Sequence, residues 1–283
     1  MKKIFVLMLI VVAINIPVEA QCSDAGICSL GKSPGAEKND DLLSVNYSFG
    51  KSGGDDNLNF NSISISSRIS IFEETNLYIS IPYNLIDGPL GSVNGIGDII
   101  LGITQPVEIS SESSVNFSIG MKLATGQVNV NDLPQPYQPG LGSNDILLGV
   151  DYSIEKYSVG LGYQVSGGRS ANKINGLKRG DDLLFKAGYS EQLSNNINLG
   201  LEMLIIKRLQ NSSVIASLNS NSLYADLDGS DQLQVNLLGK ISKKFSDSFS
   251  LNGEIALPLK KRPVNVDGLK RSFSLSLGVA FSI

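Results

Sequence analysis

The C-terminal end of the chain alternates strictly. Phe273, Leu275, Leu277, Val279, Phe281 and Ile283 interleave with Ser274, Ser276, Gly278, Ala280 and Ser282. A period of two places one set on each face of a β-strand, so one face is greasy and the other small and polar. One such strand fits any half-buried sheet. The same stripe recurs, however, at Leu43–Phe49, Ile63–Ile71, Leu77–Tyr83, Ile99–Ile103, Val115–Leu123, Ile146–Ile154, Tyr157–Val165, Leu183–Tyr189, Ile197–Ile205, Leu233–Leu237 and Phe249–Leu257. With the last strand this gives about twelve, each near the ~10 residues that cross a bilayer at a tilt.

The connections sort by length. Tight joins are expected near Glu73–Asn76, Glu155–Lys156, Ser194–Asn196 and Lys243–Ser248. Long ones are expected near Asp87–Gly97, Thr125–Ser143, Gly167–Gly180 and Gln210–Ser230. Short turns at one end and long loops at the other are the habit of outer-membrane barrels, which favour an even strand number. No stretch after the first twenty residues approaches the roughly 18 consecutive apolar residues of a transmembrane helix. The expected fold is therefore all-β, a transmembrane antiparallel up-and-down barrel over residues 41–283 in a bacterial outer membrane.

The start of the chain agrees with export. Lys2 and Lys3 precede an apolar run from Ile4 to Ile16, and Val18 and Ala20 supply small residues before a cleavage point. We read residues 1–20 as a secretory signal. Residues 21–40 then form a periplasmic segment, either a leader or a plug. In that segment Cys22 and Cys28 suit a small disulfide loop in an oxidising compartment. Two thiolates without histidine make a poor metal site.

If the greasy stripes face lipid, the alternate positions face the lumen. Arg68, Lys122, Asp151, Lys186, Glu202, Arg208, Lys240 and Glu254 then line it, among Ser, Asn, Gln and Gly. Buried charges need partners. The lumen is thus either tied shut by ion pairs or is a narrow polar path with opposing charges along its wall. Strand openings repeat as Gly95-Ile96-Gly97-Asp98, Gly142-Ser143-Asn144-Asp145, Gly180-Asp181-Asp182 and Gly229-Ser230-Asp231. We read these as turn chemistry, the alternative being a charged outer rim that meets cations or lipid head groups. Aromatics are only 7% of the chain and Trp is absent, which thins the expected interfacial girdle.

Composition removes several functions. A net charge of −4 offers no footprint for nucleic acid. With no histidine anywhere, histidine-based hydrolases and His-bound zinc are excluded, and no serine stands out for Ser/Lys chemistry. No cofactor is expected. The expected partners are outer-membrane lipid and a small-molecule solute.

Gly95-Ile96-Gly97-Asp98, the strand end Met121-Lys122-Leu123-Ala124-Thr125-Gly126, and Pro139-Gly140-Leu141-Gly142-Ser143-Asn144-Asp145 resemble one barrel family. It is the outer-membrane family named for the meta-pathway of phenol degradation, whose members are regarded as transporters of hydrophobic compounds. Its pattern carries proline where Ala124 stands here. The resemblance covers mainly residues 95–153 and implies passive transfer of small hydrophobic or weakly polar molecules. It carries no binding residues across. The competing expectation is a closed, non-conducting barrel that presents its outer loops for binding or structural interaction.

Overall fold

The computed structural model describes residues 42–52, 57–72, 74–168, 172, 174–216, 222–260, 262, 264 and 273–283. The signal, the 21–40 segment with Cys22 and Cys28, and the Gly268–Arg271 stretch lie outside the described residues. The strands are β1 (Leu42–Lys51), β2 (Asn59–Ser70), β3 (Asn76–Gly88), β4 (Gly91–Ile96), β5 (Ile99–Ser110) and β6 (Ser113–Leu123). They continue as β7 (Asp145–Ile154), β8 (Tyr157–Val165), β9 (Asp182–Ser194), β10 (Ile197–Arg208), β11 (Ser213–Ile215) and β12 (Tyr224–Asp226). The last three are β13 (Leu233–Ser246), β14 (Phe249–Lys260) and β15 (Phe273–Ser282).

Twelve of these close an antiparallel barrel. β1 pairs with β15 from Leu42↔Ser282 to Lys51↔Phe273, and β2 pairs with β3 to complete the ring. Closure satisfies the backbone of the barrel strands within the wall, which is what lets a sheet sit in hydrocarbon. β4 continues the line of β5 upward along β3, and β11 with β12 forms a small hairpin inside one long loop. The stretch expected as a loop at Asp87–Gly97 is mostly strand: β3 and β4 form a hairpin that rises above the rim. Gly91, at a φ of 131°, lets it turn back tightly.

The outward faces carry the greasy stripes. Ile65, Ile81, Phe117, Ile119, Leu161 and Leu201 are all exposed, a band that water would not tolerate but lipid solvates. Short turns join β5–β6, β7–β8, β9–β10 and β13–β14 at one end, where the chain also has Leu42 and Ser282. After the habit of such barrels, we call the end with the long loops the outer end and this one the inner end. Aromatics gather here despite their scarcity. Tyr157 and Tyr189 lie 5.4 Å apart, and Phe249 lies 5.6 Å from Phe245 and 5.3 Å from Phe281. Lys243 reaches 4.7 Å over the Phe245 ring, its stem along the wall and its charge toward water. At the other end Phe49 and Phe273 meet edge-on at 5.7 Å.

Candidate functional site: a layered lumen under a folded loop

The inward positions are arranged by height. From the outer end, β7 presents Asp145, Leu147, Gly149 and Asp151; β9 presents Asp182, Leu184 and Lys186; β10 presents Arg208, Ile206, Leu204 and Glu202. Each strand therefore offers charge, then an apolar or small stretch, then charge. Three layers result.

The outer layer is dry and ionic. Lys122 meets Asp145 at 2.6 Å, and Gln164 donates to the same carboxylate at 2.6 Å. Asp182 accepts from Arg179 at 2.6 Å and twice from Arg208 at 3.1 Å, with Arg262 at 3.6 Å. The charged side chains of this layer are buried or nearly so. Arg179 and Arg262 belong to loops, so the carboxylate ties two loops to the wall. Ser143 Oγ and the Gly167 amide also donate to Asp145, and Tyr163 and the Ser166 amide donate to Asp181.

Below lies an apolar belt of Leu147, Leu184, Leu204, Ile206, Leu238 and Ala256, with Tyr78 and Ile100 packed against it. Tyr78 stands on β3, opposite β10 in the ring, so the belt bridges the lumen. Beneath it a small interior space of about 20 Å³ touches Leu184, Leu204, Gly149, Gly162, Asp151 and Lys186. It has room for roughly one water molecule.

The inner layer is half wet. Lys186 meets Asp151 at 2.8 Å, and Lys240 meets Glu202 at 2.9 Å with Glu254 at 3.9 Å. Gly160 clears the space for the first pair, since a Cβ there would fall 2.5 Å from Lys186 Cε and overlap Asp151. The facing wall, from β15 through β1 and β2 to β3, is lined by hydroxyls. Ser48 bonds Ser276 at 3.0 Å, Ser66 bonds Ser80 at 2.8 Å and Ser62 bonds Asn84 at 2.8 Å.

The eight inward-facing candidates therefore fall at different heights. Lys122 and Arg208 belong to the outer layer, while Asp151, Lys186, Glu202, Lys240 and Glu254 belong to the inner one. Arg68 stands apart on β2, opposite Tyr78 in the register. Reasoning from alternation missed the belt, and with it Asp145, Asp182, Arg179 and Arg262. The belt has a signature in sequence: Ile146-Leu147-Leu148, Leu183-Leu184-Phe185, Leu204-Ile205-Ile206 and Leu237-Leu238 are unbroken apolar runs, so both faces are greasy there. The strand-opening aspartates also need a correction. Gly142 and Gly229 do take positive φ, as turn chemistry asks, but Asp98, Asp145 and Asp182 do not turn the chain. They are buried anchors for loops.

The loop between β6 and β7 folds inward over this lumen. Asp98 closes its neck, accepting from the Gly126 amide at 3.1 Å and the Leu141 amide at 3.0 Å. Its far end packs on a second apolar cluster, in which Tyr137 joins Leu58 and Phe60 at the start of β2 and Ile86 and Val93 of the raised β3–β4 hairpin. Among the described residues no group of three or more His, Cys, Asp or Glu is arranged to hold a metal.

No protein-family model matches this sequence, and no curated protein matches it either. Solved structures do match in shape. An outer-membrane channel from Pseudomonas putida F1 aligns with a TM-score of 0.70 at 13% identity, over 89% of this chain and 100% of that one. The CymD monoaromatic hydrocarbon channel aligns at 0.48 and 10% identity, over 96% and 99%. The NanC porin aligns at 0.46 and 9% identity, over 86% and 100%. The chain is a bacterial outer-membrane β-barrel of twelve strands.

Proposed function

We propose that the barrel is a passive, selective channel for small uncharged solutes, apolar or weakly polar. The observation that carries this reading is the apolar belt that bridges the lumen between two ionic layers. A hydrated ion entering that belt loses its water and gains no ligand, which costs several kcal/mol or more. A small apolar molecule gains from the same surroundings. The facing serine wall supplies hydroxyls for a solute with one polar group. The resemblance over residues 95–153 to a family of hydrophobic-compound transporters points the same way.

A second reading is a closed barrel that displays its outer loops. The buried Asp182 cluster and the inward-folded β6–β7 loop favour it, because both occupy the outer mouth. Planar-bilayer recording and solute uptake into liposomes separate the two. The channel reading expects small, infrequent ion currents and faster uptake of uncharged solutes than of ions of equal size. An inserted, folded barrel that passes neither would leave the closed reading standing.

A further inference from the structure

Tyr137 lies in a long outer loop, yet it is only 4% exposed. Its ring enters a cup formed by Leu58, Phe60, Ile86 and Val93, and its hydroxyl accepts from the Leu90 amide at 3.0 Å. Gly88 makes the fit possible, since a Cβ there would overlap both Leu58 and the Tyr137 hydroxyl. The walls of the cup therefore belong to the rising β2–β4 scaffold, and the occupant belongs to the loop.

The loop is compact and tied within itself. Gln138 ties its interior, accepting from the Val130 amide at 2.9 Å and donating to the Leu133 carbonyl at 2.8 Å. Its neck is narrow: a Cβ on Gly126 would fall 2.7 Å from the Gly140 Cα, and the Gly140 amide donates to the Gln127 carbonyl at 3.0 Å. Outside the neck, Asn84 of the wall donates to the Pro139 carbonyl at 2.8 Å, Asn172 of the β8–β9 loop donates to Gln135 at 2.5 Å and to the Leu141 carbonyl at 3.3 Å, and Val130 and Leu133 pack against the same cluster as Tyr137. A compact loop with closely spaced ends and its own internal bonds can leave its seat without unfolding.

We propose that this cup is the outer binding site of the channel, and that Tyr137 fills it in cis until a free phenol-like solute takes its place. The occupant defines the ligand class. A tyrosine side chain is a para-alkylphenol, so the cup accepts one flat six-membered ring, and the Leu90 amide donates to one oxygen at the para position. The proposal rests on the channel reading and narrows it to monocyclic aromatics that carry a hydrogen-bond acceptor.

The test uses the absence of Trp from the chain. In the full-length Tyr137→Trp protein in lipid nanodiscs, the single indole reports the cup. Titration with p-cresol should shift its emission saturably to the red as the ring is displaced into water. Toluene, which lacks the oxygen, should need about three- to tenfold more, the value of one lost hydrogen bond. Emission that ignores p-cresol, or that drifts alike and without saturation for both compounds, overturns the site.

If emission before titration shows the introduced indole already in water, saturation-transfer NMR with p-cresol on wild type and Tyr137→Ala decides instead. With the closed loop holding at least about nine-tenths of the population, removing the competitor should tighten binding about tenfold or more. Equal affinity overturns the proposal. Ion conductance of the wild type is recorded separately. A conducting barrel that ignores p-cresol loses this site alone, and a silent barrel that binds it loses the channel reading alone.

Discussion

Asp182→Asn tests whether the outer layer is as dry as its packing implies. Asp182 and Arg208 are each 1% exposed, and three guanidinium groups converge on the one carboxylate. At a separation near 3 Å and an effective dielectric of about 20, each close pair is worth roughly 5 kcal/mol before desolvation. Desolvation offsets much of that, but removing one partner strands the others, and the measured cost of such a change is about 3–5 kcal/mol. Asn keeps the shape and one acceptor, so the loss reports charge rather than volume.

The matched control is Asp151→Asn in the inner layer. That carboxylate is 16% exposed and its Lys186 partner 27%, so water screens the pair and its loss should cost about 1 kcal/mol or less. Denaturant unfolding of the two variants in micelles, followed by the gel shift of folded barrels, gives the comparison. A second readout is trypsin added outside intact vesicles, because Arg179 is buried and bonded to Asp182 in the wild type. Cleavage there should rise in Asp182→Asn and stay at the wild-type level in Asp151→Asn. Equal destabilisation by the two changes, or an Asp182→Asn loss within about 1 kcal/mol, would refute the layered account.

Three further outcomes are expected. Leu204→Ala opens the belt beside the 20 Å³ space, so it should lower stability by about 2–5 kcal/mol and raise single-channel conductance; unchanged conductance removes the belt as the constriction. Gly160→Ala drives a methyl into the Asp151–Lys186 pair and should cost about 1–3 kcal/mol. Gly168→Ala, with nothing within 4 Å, should stay within about 0.5 kcal/mol, and an equal loss in both would show that crowding is not the cause. Burial beneath the loop neck pushes the Asp98 carboxyl above its ordinary range, with Lys122 opposing and Asp145 adding to the rise. A raised value means the closed neck holds its proton more tightly than an open one. Closure is then strongest at acid pH and weakens as pH rises through the raised value. Amide exchange at Gly126 and Leu141, corrected for intrinsic rates, should quicken accordingly, and Asp98→Asn should flatten the trend.

The strand count and the lipid-facing stripes were legible because lipid imposes one rule on every strand: the outward position must be apolar. Alternation reads that rule directly. The lumen obeys no such rule, since its residues answer to partners on strands far away in sequence. Lys122 and Asp145 are opposite in register across β6 and β7, and Asp182 gathers Arg179, Arg208 and Arg262 from one neighbouring strand and two loops. Only the apolar doublets betrayed the belt, and they look like noise until a second apolar surface inside the barrel is admitted. The same holds for the β3–β4 hairpin. Val93 reads as a loop residue because its partner, Tyr137, is contributed by another loop.

The order of the layers carries an argument about selectivity that no one layer carries. A cation or anion arriving from outside first meets charges already matched at 2.6–3.1 Å, so it must break a pair to bind. It then meets the belt, where it has no ligand at all. The two costs add along one path, each of several kcal/mol. A neutral ring with one oxygen breaks no pair in the first layer and is favoured by the second. Its oxygen loses water worth about 1–3 kcal/mol if unpaired, but the hydroxyl wall on β15, β1, β2 and β3 lines the side of the lumen facing the inner ion pairs. A lumen with an apolar belt and a hydroxylated wall therefore discriminates by net charge and tolerates modest polarity.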